Sequence, residues 1–275
     1  MSSTIAGQNP FTDTDWPDPE EPEFPEQELR YFCAAHFARR AEYLKPLKTQ
    51  PAPFFLFDQA RLRENAHRFQ ESCALFFPAN MVYYAVKSNH HPALAATLLE
   101  ENLGLDVSSG VELGLALELG AREIIFSGPG KTDPELDLAL AHADQTTILI
   151  DSFGELERLE KRAAAAATSV RCGIRLTAAG HRRWRKFGIP TTRLPEFWKR
   201  IKSSPYLDLQ GLHFHSSWNL TPERQLAFIS ELGRTLSTMP QEFCRQLRFI
   251  DLGGGYWPEE GEWLQYHGTR IGGLA

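Results

Sequence analysis

From residue 81 onward the chain alternates between two hydrophobic patterns. Short apolar runs rich in β-branched and aromatic residues read as strands: MVYYAVK, LGLDVSS, EIIFSG, TTILIDS, SVRCGIRLT, LQGLHFHSS and LRFIDLGGG. Between them lie segments with apolar positions at helical spacing, such as PALAATLLEENLG, GVELGLALELG, DPELDLALAHA, FGELERLEKRAAAAA, TRLPEFWKRIKSS and TPERQLAFISELGRTLST. Strict alternation of the two implies parallel strands joined by crossover helices. The strands are apolar runs rather than alternating ones, which fits burial on both faces. Seven such units at this spacing predict an α/β fold, a TIM (β/α)8-like barrel. A doubly wound open sheet is the alternative. It would carry a glycine-rich turn after its first strand, where this chain carries a lysine.

Upstream, the pattern is different. Residues 8–27 (QNPFTDTDWPDPEEPEFPEQ) are dense in Pro, Asp and Glu, and residues 1–27 are expected to form a disordered acidic leader. A helix is expected over about Glu28 to Tyr43, with Phe32, Ala35 and Phe37 on one face, and a short strand at FFLF, so that residues 28–57 supply an N-terminal helix and strand. Asp58 is a candidate N-cap for ARLRENAHRFQESC, and the barrel is expected over residues 58–275.

Polar residues collect at the carboxyl ends of the strands, where catalytic groups sit in a (β/α) barrel. Lys87 follows the first strand; Asp106, Ser108, Ser109 and Glu112 follow the second; Ser127, Gly128 and Gly130 the third; Asp151 and Ser152 the fourth. Arg175 ends the fifth, His213 and His215 the sixth, and Gly253, Gly254 and Gly255 the seventh. A desolvated lysine at a strand end can act as a Schiff-base nucleophile; the plain alternative is a lysine reaching solvent. Ser127 to Gly130 and Asp151-Ser152 read most simply as turns and helix caps. His213 and His215 share one face of a strand, as a pair of core or metal-binding histidines would, but no third ligand pattern supports a metal. Three glycines in a row are costly in a strand and suggest backbone amides brought close to an anion. A glycine loop opposite a strand-end lysine suggests a phosphorylated cofactor that forms a Schiff base, which fits pyridoxal 5′-phosphate.

Composition narrows the field. The chain has 275 residues, 42% of them hydrophobic and 23% charged, enough apolar material for one sizeable core. A net charge of −6 gives no support for nucleic-acid binding. No apolar stretch approaches a membrane span, and no secretory signal opens the chain. Cys33, Cys73, Cys172 and Cys244 are far apart, with no metal-binding spacing. Free thiols and a cytoplasmic location are the expectation.

These motifs, in this order, resemble those of the fold-type III pyridoxal-phosphate decarboxylases, the group that includes diaminopimelate, ornithine and arginine decarboxylases. The resemblance covers about residues 52–257 and rests on YAVKSN, LGLDVSSGVEL, FSGPGKTDPEL, IRLTAAGHRRWRKFGIP, GLHFH and DLGGGY, whose wording is nearest the diaminopimelate branch. It implies that Lys87 holds the cofactor as a Schiff base, that His215 stacks on its ring, and that Arg175 lies near ring and lysine. It implies further that Asp106 and Glu112 tune the lysine and that Gly253, Gly254 and Gly255 donate amides to phosphate. The implied reaction is loss of an amino acid's α-carboxylate as carbon dioxide; the implied assembly is a homodimer with the active site between subunits.

Two departures qualify the resemblance. The family follows its last histidine with a Gly-Ser pair; here HFHSSWN places Ser217 and Trp218 there, so that Ser216 or Ser217 takes over the phosphate contact or the pocket is remodelled. The family's eighth strand, with its Glu-Pro-Gly-Arg-like motif, and its C-terminal β-domain find no counterpart in YWPEEGEWLQYHGTRIGGLA, which has no strand-rich continuation. The barrel is therefore expected to be incomplete and the enzyme truncated. A catalytically inactive homologue and an amino-acid racemase are the alternative readings.

Overall fold

The computed structural model describes residues 26–177, 186–215, 223–255, 264–266 and 269–271. The chain divides into two units, residues 1–57 with 256–275, and residues 58–255. In the first unit, α1 (Glu26–Ala38) and α2 (Arg40–Leu44) lie where a single helix was expected. The FFLF run is in no strand, and Phe55 and Leu56 are exposed. A strand needs a partner for its backbone groups, and apolar composition alone does not supply one. In the tail, which the sequence reads as not strand-rich, the segments Leu264–Tyr266 and Thr269–Ile271 pair as one short antiparallel hairpin.

Residues 58–255 form the alternating fold. α3 (Gln59–Phe76) starts at Asp58, whose side chain accepts the Arg61 amide at 3.1 Å. The strands are β1 (Tyr83–Ala85), β2 (Gly104–Val107), β3 (Ile124–Phe126), β4 (Thr146–Ile150), β5 (Val170–Thr177), the two-residue β6 (Ile189–Pro190), β7 (Leu207–Phe214) and β8 (Phe249–Asp251). The helices between them are α4 (Pro92–Glu100), α5 (Gly110–Glu118), α6 (Asp133–Ala141), α7 (Phe153–Ala166), α8 (Leu194–Ile201), α9 (Glu223–Thr238) and α10 (Gln241–Gln246). All the strand pairings are parallel, in the order β1-β2-β3-β4-β5-β7-β8, with β6 alongside the end of β5. This is the expected barrel-type sheet, curled and flanked by helices. Among the described residues β1 and β8 each pair on one side only, so the sheet is open there. No helix among them is long and apolar enough to cross a membrane.

The two faces of the sheet differ because side chains alternate along each strand. Leu105, Val107, Ile124, Phe126, Ile148, Ile150, Cys172, Ile174, Leu212 and Phe214 point to the helical layer. There they join Leu113, Ala116, Leu136, Leu156, Leu159, Phe197, Phe228 and Phe243 in one buried cluster. Burying each large side chain stabilises by about 1.5–3 kcal/mol, so the outer face anchors the fold. The opposite face is built differently at its two ends. Near the amino ends of the strands it is filled by rings lying over glycines. A Cβ on Gly211 would come within 2.1 Å of the Phe249 ring, and one on Gly104 within 2.4 Å of Tyr83. Towards the carboxyl ends the same face carries Asp106, Arg175, His213 and Asp251. The packing thus leaves one end for polar chemistry.

Candidate active site

Lys87 is the middle residue of a tight 3₁₀ turn, Val86–Ser88, directly after β1. Val86 anchors the turn in the core, with no exposed surface. The Ser88 hydroxyl donates to Ala85 O at 2.7 Å, the Asn89 amide to Val86 O at 3.1 Å, and the Tyr84 hydroxyl to Asn89 O at 2.9 Å. Asn89 Oδ1 accepts the His91 amide at 3.1 Å, and His91 Nδ1 accepts from Ala93 at the start of α4. The residues around the lysine therefore hold its backbone while its side chain is exposed. The desolvation envisaged for Lys87 is not present: with β1 paired on one side only among the described residues, the amine reaches solvent.

Three neighbouring strands place Arg175, His213 and Asp251 side by side in register. Arg175 is buried, 3.5 Å from Asp151 Oδ1, with its guanidinium carbon 5.2 Å from the centre of the Phe187 ring. Asp151 Oδ1 also accepts the Gly188 amide at 3.1 Å, which docks the Lys-Phe-Gly turn against the strand ends. Gly188 sits at φ +85°, and a Cβ there would press on the Leu176 backbone at 3.1 Å. Burial pulls the Arg175 guanidinium below its ordinary pKa, against the opposing charges of Asp151, Asp106 and Asp251. Burial likewise pushes the Asp106 carboxyl up, partly offset by the Ser127 side chain and by the charges of Lys87 and His213. Asp106 Oδ1 is buried with no hydrogen-bond partner among the described residues.

The glycine loop closes this layer. Gly253 and Gly255 adopt φ of +70° and +81°, the left-handed region that favours glycine. A Cβ on Gly253 would lie 2.4 Å from Phe214 O, so the loop packs backbone to backbone on the end of β7. The Gly253 amide donates to Asp251 Oδ1 at 2.8 Å, and the Gly254 amide to His215 Nδ1 at 3.2 Å. Burial lowers the His215 pKa to about 4, helped by the positive charges of Lys87, His213 and Arg175. Its imidazole is neutral at physiological pH.

Glu112 is engaged at the start of a helix. Its carboxylate accepts the Ser108 amide at 2.8 Å while Ser109 Oγ accepts the Glu112 amide at 3.3 Å, so the residue closes the start of α5. Ser217 lies outside the described residues. Ser152 caps α7, as its position suggested, but its neighbour Asp151 is the partner of Arg175.

The family model for the pyridoxal-dependent decarboxylases, pyridoxal binding domain, matches residues 59–264. The chain belongs to this family. It is 29% identical over 226 residues to a diaminopimelate decarboxylase of Synechocystis, covering 74% of this chain and 48% of the relative. With the diaminopimelate decarboxylase of Vibrio cholerae it shares 30% identity over 217 residues, covering 74% of this chain and 51% of the relative. The crystal structure of Helicobacter pylori diaminopimelate decarboxylase complexed with L-lysine superposes with a TM-score of 0.65 at 26% identity, covering 78% of this chain and 56% of that one. The chain spans about half the length of the curated relatives it matches.

The residues present fit the pyridoxal-binding family's cofactor. An exposed primary amine stands at a strand end, Asp106 offers a buried unpartnered oxygen, and the layer holds a neutral imidazole and a buried guanidinium. The glycine loop has open space beside Gly254, where a Cβ would meet nothing within 4 Å. Asp151 and His213, placed by the sequence at strand ends, belong to this layer, and so does Asp251, which the sequence reading did not single out. The signal that could have found Asp251 is its two-residue spacing from Gly253, the same spacing that sets His213 from His215.

Proposed function

We propose that this chain holds pyridoxal 5′-phosphate through a Schiff base to Lys87 and serves the decarboxylation of an amino acid, with diaminopimelate the first candidate substrate. The observation that carries the reading is the convergence of Lys87, Asp106, Arg175 and His215 at the carboxyl end of one parallel sheet, where the charge of Lys87 acts on both Asp106 and His215. When bound, the cofactor supplies a carbonyl for an amine and a ring that accepts the electron pair left by departing carbon dioxide. Lys87, exposed on a fixed turn, is accessible to cofactor and to an incoming amine alike. His215, neutral and half-buried, presents an uncharged ring for stacking. Arg175 contributes a positive charge held in place by Asp151 and Phe187. Gly253, Gly254 and Gly255 would receive the phosphate, which would share or replace the contacts that two of their amides make within the protein.

The test is incubation of the purified chain with pyridoxal 5′-phosphate, borohydride reduction and peptide mapping, with Lys87→Ala as control. A pyridoxyl group on the Lys87 peptide, absent from the variant, is the expected result. Folded protein with no adduct, or an adduct elsewhere, would defeat the reading. Carbon dioxide release from diamino and basic amino acids, set against inversion of their stereochemistry, then separates decarboxylation from racemisation. The exposure of Lys87 favours a second reading, cofactor capture without turnover, because a wet site weakens the electrostatics on which the chemistry depends. An adduct with neither product would select it.

A further inference from the structure

His213 and His215 lie two residues apart on one face, yet their surroundings differ. His213 is buried at 5% exposure and faces Asp251 directly across the β7–β8 ladder, its Nδ1 2.8 Å from Asp251 Oδ2, an ion-pair distance without the alignment of a hydrogen bond. The other oxygen of Asp251 accepts the Gly253 amide at 2.8 Å. The next amide, from Gly254, donates to Nδ1 of His215 at 3.2 Å. Gly253 lies close against the end of β7, where a Cβ would come within 2.4 Å of Phe214 O and 3.0 Å of the His215 Cα. The three contacts form one continuous bridge from a core histidine, through a carboxylate and the glycine loop, to the ring of His215.

We infer that His213 and Asp251 are positioning residues: they set the shape of the glycine loop and, through the Gly254 amide, hold His215 in one orientation and one tautomer. An imidazole nitrogen that accepts an amide hydrogen carries no proton, so the proton of His215 resides on Nε2. The ring is thereby fixed on one edge, with the other edge and its face left for a ligand. A carboxylate with only one acceptor oxygen engaged could not do this. Asp251 uses one oxygen to stay anchored to β7 and the other to pull the loop towards it. The functional meaning of the device rests on the reading that His215 and the glycine loop hold the cofactor; its geometry does not.

The experiment uses the whole chain labelled with ¹⁵N-histidine, without added cofactor. Long-range ¹H–¹⁵N correlation spectra report the tautomer of each ring, with the His215 signals assigned by their loss in His215→Gln. The wild-type chain is expected to show His215 as a single Nε2–H tautomer between pH 6 and 8. His213→Leu and Asp251→Ala are expected to give a mixture of tautomers, whereas His213→Gln, whose amide can still donate to Asp251, retains the wild-type signal. A protonated Nδ1 in the wild-type chain would overturn the inference with no variant needed. So would an unchanged His215 signal in folded His213→Leu and Asp251→Ala. Cofactor retention is then compared: His213→Leu should bind pyridoxal 5′-phosphate about tenfold more weakly than His213→Gln, the factor that one lost hydrogen bond typically costs. Equal binding by the two with a disturbed tautomer would remove the proposed link to the cofactor. No binding by any form, with the tautomer result as expected, would count against the cofactor reading and leave the bridge standing.

Discussion

Lys131 and Glu155 form an ion pair that is almost wholly enclosed, with side chains 1% and 2% exposed. The Lys131 ammonium directs all three donors at protein acceptors: Gly128 O at 2.7 Å, Leu149 O at 2.7 Å and Glu155 Oε1 at 2.9 Å. It thus ties the turn after β3 to the end of β4 and the start of α7, the support beneath Asp151 and Arg175. Burial pulls its pKa below the ordinary lysine value, against the attraction of Glu155. The pair therefore contributes little net stability, yet loss of one member leaves the other charge enclosed and alone. Lys131→Met and Glu155→Leu are each expected to cost about 3–5 kcal/mol. For a unit of this size that lowers the melting temperature by roughly 6–20 °C, at about 2–4 °C per kcal/mol. The double variant removes both charges and leaves two carbonyls and the Asp151 amide without their partners, so it should cost about 2–4 kcal/mol. The coupling in the double-mutant cycle should then exceed about 2 kcal/mol. Urea unfolding followed by tryptophan fluorescence and circular dichroism measures all four proteins. Single variants costing less than about 1 kcal/mol, or a double variant that costs the sum of the singles, would refute the reasoning.

Two further outcomes follow from the charges at the strand ends. The raised pKa of Asp106 means that its protonated form is the one the fold favours; the associated stability is present below the ordinary carboxylate value of 3.8 and is lost as pH rises through the folded value. Asp106→Asn should accordingly melt higher than the parent at pH 7, by about 2–4 °C for each kcal/mol relieved, with the gain vanishing towards pH 3; an equal or lower melting temperature at pH 7 would contradict this. His215 has the opposite sense, because its folded pKa of about 4 lies below the ordinary 6.5 and only the unfolded chain takes up a proton between them. Stability should fall as pH drops from 6.5 towards 4, and His215→Gln should flatten that slope in melting curves recorded across the range.

The alternation of strands and helices was legible from the chain alone, because burial on both faces imposes continuous apolar runs and crossover helices impose a 3.6-residue period. Motif wording likewise pointed to Lys87, Arg175, His215 and the glycine loop, residues whose chemistry is unusual for a strand end. What local pattern could not supply was partnership between strands. Asp251 reads as one acidic residue in FIDLGGG until register sets it opposite His213, 38 positions earlier in the chain. Asp151 reads as a turn until the sheet brings it to Arg175, and nothing in the local pattern around Lys131 announces that α7 delivers Glu155 to it. Glu112 adds a contact that the strand-end pattern did not announce, its carboxylate accepting the Ser108 amide at the start of α5. The FFLF run failed as a strand for the same reason, since hydrogen bonds to a neighbour decide what an apolar segment becomes. Sequence by itself determined the element types of the alternating fold and the reactive groups at its strand ends. Tertiary structure alone decided which charges are buried, which are paired and which reach solvent, because those depend on groups that meet only when distant strands align.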